Sequence, residues 1–112
     1  MDFNEVNEIL KLRNTPDWGI INANPNRVGE FIEFLRQNPT LDRSIKLEFV
    51  ELIIASMNEA ILQQLDSKDT IDMFLDYVGL LKSDDFYAIS IDYWKSLKSS
   101  EEFPVIKLLQ VH

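Results

Sequence analysis

Residues 45–65 read IKLEFVELIIASMNEAILQQL, the longest apolar run in the chain, and the polar positions within it fall on one side. At about 100° per residue, Glu48, Glu51, Asn58 and Glu59 share a narrow stripe, and Ile45, Leu47, Phe49, Val50, Leu52, Ile53, Ile54, Met57, Ile61 and Leu65 cover nearly all the remaining girth. A helix apolar over so much of its circumference has to be covered from two or three sides. The spacing therefore predicts a central helix at about 42–65, encased by its neighbours, with one wet edge that is anionic.

Working outward, Phe3, Val6, Ile9 and Leu10 recur at helical spacing and mark a first helix over residues 2–13. Asn14 to Asn24, NTPDWGIINAN, has no period and reads as a loop whose Trp18, Ile20 and Ile21 fold back on the core. Asn24-Pro25 supplies a cap and a first-turn proline for a second helix, with Val28, Phe31, Ile32 and Leu35 on one face and a stop at Asn38-Pro39. Beyond the central helix, Asp69 or Thr70 caps a fourth, carrying Ile71, Phe74, Leu75, Val78 and Leu81 inward. Ser83-Asp84-Asp85 opens a fifth, marked by Phe86, Ile89, Tyr93 and Leu97 with Trp94 beside them and closed by Lys95 and Lys98. Ser99 and Ser100 break the chain before a short last helix over 101–111. No segment shows the clean alternation of a half-buried strand. The fold expected is all-α, about six helices, and residues 1–112 are one domain's worth of chain.

Two of these helix pairs align with each other. Phe31-Ile-Glu-Phe-Leu35 matches Phe74-Leu-Asp-Tyr-Val78, and Ile45-Lys-Leu-Glu-Phe-Val50 matches Ile89-Ser-Ile-Asp-Tyr-Trp94, at offsets of 43 and 44 positions. That period lies within the roughly 40–47 residues of HEAT and armadillo units. The chain thus resembles a very short HEAT-like array over about half its length, with the first and last helices as caps; the alternative is an irregular bundle around the central helix. The HEAT-like resemblance implies that the second helix of each pair lines a concave binding side. Glu48, Glu51, Asn58 and Glu59, continued by Asp92 and Lys95, would then form a mostly acidic groove, with Trp94 as an aromatic neighbour.

Composition narrows the chemistry. There is no cysteine, which excludes disulfide frameworks, thiolate metal sites and cysteine nucleophiles. The single histidine is His112, the last residue, so histidine general-base schemes, Ser-His-Asp triads and zinc sites have no support. Gly19, Gly29 and Gly79 are too dispersed for a phosphate loop, and the two within helices are read as points of close helix approach. Asp66, Asp69 and Asp72 lack the glycine and terminal glutamate of a calcium loop. Glu48 and Glu51 lie one turn apart as an acid/base pair would, but with 19 acidic residues such pairs arise by accident. No cofactor and no metal is implied, and no enzyme activity is expected.

Net charge is −8, and nine Asp or Glu stand against five Lys from Asp66 onward, a balance that repels nucleic acid. The N-terminus lacks the basic-then-apolar order of a secretory signal, and no window is apolar enough to span a bilayer, so a cytoplasmic location is the default. The expected function is a non-catalytic protein–protein interaction module with an acidic helical surface and a partner that is another protein, basic or a second copy. Plain solvation accounts for the acidic stripe as well. An immunity- or antitoxin-type inhibitor of a basic toxin is the narrower version. The rival from another class is a small-ligand-binding or enzymatic helical bundle, which requires buried carboxylates around a deep pocket.

Overall fold

A computed structural model describes residues 1–97 and 102–110. The expected break at Ser99–Ser100, the end charge at Lys98 and the outer ends of the last helix, Glu101 and Val111–His112, lie outside the described residues. Among those described there are seven helices and no strand: α1 Phe3–Leu10, α2 Trp18–Ile21, α3 Val28–Gln37, α4 Arg43–Leu62, α5 Lys68–Lys82, α6 Asp85–Ser96 and α7 Val105–Leu109. None is long and apolar enough to cross a membrane.

The all-helical architecture agrees with the sequence, and α4 is its axis. Phe49, Val50, Leu52, Ile53, Ile54 and Met57 are completely buried, and α4 packs against α2, α3, α6 and α7. A helix enclosed in this way keeps only a partly exposed edge, on which Glu48, Glu51 and Glu59 are half-buried. The second helix of the first pair is therefore a core rod rather than the inner wall of a solenoid.

The additional helix, α2, lies in the stretch read as a loop. It forms around Trp18, whose indole N–H donates to Asn7 Oδ1 at 2.6 Å and whose ring sits between Phe3 and Phe49. Asn22, also buried, accepts from Arg13 N and donates to the carbonyls of Arg13 and Trp18, closing the α1–α2 connection on itself. Trp18 thus folds inward as expected, whereas Ile20 and Ile21 are exposed. Gly19 is the glycine of close approach: a Cβ there would lie 2.7 Å from Glu51 Cβ and 2.8 Å from the backbone nitrogen of Leu52. Gly29 meets only the flexible thioether of Met73, and a Cβ on Gly79 would meet nothing within 4 Å, so neither of these lets a helix in.

Several boundaries shift for local reasons. Asn24-Pro25 forms a turn in which Asn24 Oδ1 accepts from Asn26 N, and α3 starts three residues later, at Val28. Ser67, not Asp69 or Thr70, caps α5, its hydroxyl accepting from Thr70 N. Asp84 caps α6 by accepting from Phe86 N at 2.9 Å. The largest correction is the rotation of α6. Tyr87, Ile91 and Trp94 face the core, while Phe86, Ile89 and Tyr93, expected inside, point outward.

Candidate functional site

Half of the α4 stripe expected to be wet, Glu51 and Asn58, is engaged inside the molecule, as is the adjoining Ser56. Glu51 Oε2 accepts from the indole N–H of Trp94 at 2.9 Å, tying α4 to α6. Ser56, completely buried, accepts from Asn24 N at 2.9 Å and holds the turn before α3. Asn58 donates to the Glu102 carbonyl and accepts from Val105 N, each at 3.2 Å, fixing the approach to α7. Three polar side chains on one rod thereby staple three surrounding segments. Burial raises the Glu51 carboxyl above its ordinary value; the Trp94 hydrogen bond opposes that shift and the neighbouring Glu48 charge adds to it.

Of the residues expected to meet a partner, Asn58 and Trp94 are thus interior, the first because it satisfies a chain segment and the second because its indole fills the α4–α6 contact. Glu48, Glu51 and Glu59 are half-buried, and Glu59 accepts from Gln63. Asp92 and Lys95 are exposed on α6. The structure brings Glu51 and Trp94 together, but as an internal joint. Glu48, Glu51 and Glu59 do not line the groove described below, and among the described residues no group of three or more His, Cys, Asp or Glu converges as a metal site would require.

Exposed apolar side chains occur at Met1, Ile9, Ile20, Ile21, Leu62 and Leu65, and a further set lies among exposed aspartates on the α5–α6 hairpin. On α5, Asp69, Asp72, Asp76 and Leu80 follow one another at helical spacing, all exposed, Leu80 at 73 %. On α6, Asp85, Ile89 and Asp92 form the outer stripe with Phe86 and Tyr93 along its edge; Ile89 is 74 % and Tyr93 59 % exposed. Four large apolar side chains therefore stand in a field of five exposed aspartates. The sequence did carry a signal for this. DFYAISIDYW is apolar on two faces, and a helix at the edge of a small fold can bury only one.

One cation organises the adjoining corner. Arg43, at the start of α4, holds Asp84 through one guanidinium nitrogen at 2.8 and 3.0 Å and lies over the Phe86 ring, 4.6 Å from its centre. The Tyr87 hydroxyl and the Asp84 carboxylate both favour the charged guanidinium and push its pKa up. Beside this corner runs an open groove of about 770 Å³ between the α3–α4 turn and the α5–α6 hairpin. Its apolar lining is Ile32, Leu35, Tyr77, Leu80 and Leu81; Arg36, Arg43 and Lys46 stand on one side, and Asp76, Asp84 and Asp85 on the other. The Tyr77 hydroxyl is buried without a hydrogen-bond partner, a state that costs about 1–3 kcal/mol. Burial pushes that phenol far above its usual value, and Tyr87 adds to the shift.

Comparison with known protein families, with characterised proteins and with solved structures gives no match to this chain.

Proposed function

We propose that the protein works by binding another protein, one with a basic surface, through the outer faces of α5 and α6, and that it catalyses no reaction of its own. The observation that carries this reading is the exposure of Leu80, Phe86, Ile89 and Tyr93 amid Asp69, Asp72, Asp76, Asp85 and Asp92. Apolar anchors framed by charge are the anatomy of a protein interface, with the apolar groups supplying affinity and the charges the choice of partner. A second copy of the chain is the poorer occupant, because it would bring the same aspartates against these.

The narrower form is an immunity- or antitoxin-type inhibitor, which has to cover a basic working surface of a toxin with an acidic, rigid one. Two helices joined by a short capped turn and braced by Arg43 onto the core meet that requirement.

The test is capture of protein from the source cell by the wild-type chain and by Ile89→Ser/Tyr93→Ser, at low and high salt. A one-to-one complex with a basic protein, weakened by salt and lost in the double variant, is expected. Capture that is indifferent to both changes would remove α6 from the interface. Failure of a captured protein to be toxic when expressed alone would leave the general reading and end the inhibitor version.

A further inference from the structure

Each of α2 to α7 packs closely, backbone against backbone, on at least one other helix; among the described residues α1 does so on none. Side chains hold it in place. Val6 and Leu10 are buried, the Phe3 ring meets Trp18 edge-on with centres 5.5 Å apart, and Arg27 donates to the Leu10 carbonyl at 2.8 Å. The central polar contact is only half satisfied. Asn7 Oδ1 takes the Trp18 indole N–H, while Asn7 Nδ2 is buried with no acceptor among the described residues. Docking thus leaves dry a donor that water would satisfy once the helix opened. At the other end Lys11 sits in the left-handed region at φ 57°, where an L side chain is disfavoured. Its N–H and that of Leu12 both donate to the Asn7 carbonyl, so the cap that closes α1 uses this conformation. Beyond it the chain is held again, because Leu12 packs on the core and buried Asn22 bonds both the N–H and the carbonyl of Arg13. A hinge is thereby confined to Lys11.

We propose that α1 is an exchangeable arm: residues 1–10 leave their seat as one unit by rotation at Lys11, and at high concentration the vacated seat is filled by α1 of a second copy. The occupant follows from the seat, whose complement in shape and hydrogen bonding is the sequence of α1 itself. Exchange of an identical element remakes every contact outside the hinge, which makes it a low-cost route to a dimer. Moving Lys11 to extended backbone also relieves its left-handed conformation. The arm lies apart from the α5–α6 face and does not depend on the reading of that face as a binding surface.

Native-state hydrogen exchange of the full chain tests the opening. The amides of Val6–Leu10 should share one protection factor, at least about tenfold lower than those of Phe49–Met57. A gradient along α1, which is ordinary fraying of a terminus, or protection equal to that of α4 would overturn the arm. Lys11→Gly should raise the shared protection and Lys11→Ile lower it, the two differing by about fivefold or more. Both variants lose the lysine charge at an exposed position, so their difference reports the backbone; equal protection in the two would remove the hinge. At millimolar concentration Lys11→Ile should sediment in part as a dimer. In a dimer of mixed isotope labels, the nuclear Overhauser contact between the Phe3 and Trp18 rings should run from one chain to the other. Absence of a dimer, or a contact that stays within each chain, would overturn the exchange. The dimer should persist when Ile89→Ser/Tyr93→Ser is added, and its loss there would assign the association to the hairpins instead.

Discussion

Gly19 and Glu51 meet where α2 lies against α4, and both are decided by space. A methyl group on Gly19 would overlap Glu51 Cβ and the Leu52 nitrogen, backbone and near-backbone atoms that cannot swing aside. Gly19→Ala should therefore cost about 1–3 kcal/mol in urea denaturation, whereas Gly79→Ala, in open space within α5, should stabilise by about 0.5–1 kcal/mol. Glu51 has a raised carboxyl pKa caused first by burial, so the folded chain takes up its proton before the unfolded chain does. Its contribution to stability therefore improves as pH falls from neutral through the folded value to the unfolded one, and is constant below that. Glu30 behaves oppositely. The hydrogen bond from Arg27 holds its carboxyl below the ordinary value, so what it adds is present at neutral pH and is lost as pH falls through the folded value. Glu51→Gln keeps an acceptor for Trp94 and removes the charge. It should be more stable than wild type at pH 7, with the difference shrinking near pH 4.5, the ordinary value for the group. A difference that stays constant between the two conditions would mean that Glu51 is not desolvated. At this scale the sequence was legible in composition only. The polar stripe of α4 was visible, but a Glu, Ser or Asn that staples a neighbour reads the same in sequence as one that faces water.

Among the elements, α4 was legible because its pattern admits one solution: an apolar girth has to be covered. Residues 85–96 admitted two. Tyr87–Ile91–Trp94 and Phe86–Ile89–Tyr93 both repeat at helical spacing, and the choice is made by contacts far away in sequence. Glu51 takes the Trp94 indole and Arg43 takes Asp84, and together they fix the rotation. The apolar face of α6 was assigned to the wrong side for that reason, although the helix itself was expected. The rotation has a measurable counterpart. Ile89→Ser and Tyr93→Ser should each change stability by less than about 0.5 kcal/mol, as exposed positions do, whereas Ile91→Ser removes a buried group and should cost several-fold more. Short α2 escaped the periodicity altogether, since four residues are barely one turn and its existence depends on Trp18 finding Asn7. α7, whose Val105 and Leu109 are buried, is pinned at its start by Asn58 and at its end by Lys82, which donates to the Leu109 carbonyl at 2.6 Å. Asn58→Ala removes an acceptor from Val105 N and a donor to Glu102 O, and should cost about 1–3 kcal/mol, with amide exchange accelerating in Val105–Leu109 beyond its rise elsewhere. Uniform acceleration over the whole chain would show that α7 is not separately anchored.

For the molecule as a whole, charge and apolar exposure coincide on the α5–α6 hairpin, and the carboxylates there are what opposes pairing of two identical faces. That repulsion is a function of proton concentration. The sequence pI is about 4.5, where the net charge of −8 that keeps copies of the chain apart at neutral pH has fallen to zero. Acidification should thus convert a dispersed protein into one that clumps through its own sticky hairpin while still helical, seen as light scattering that rises before circular dichroism changes. Replacing Ile89 and Tyr93 by serine should postpone the turbidity to lower pH or abolish it. The same property bears on handling: storage near the isoelectric point would mask, by self-adhesion, the surface proposed to meet a partner.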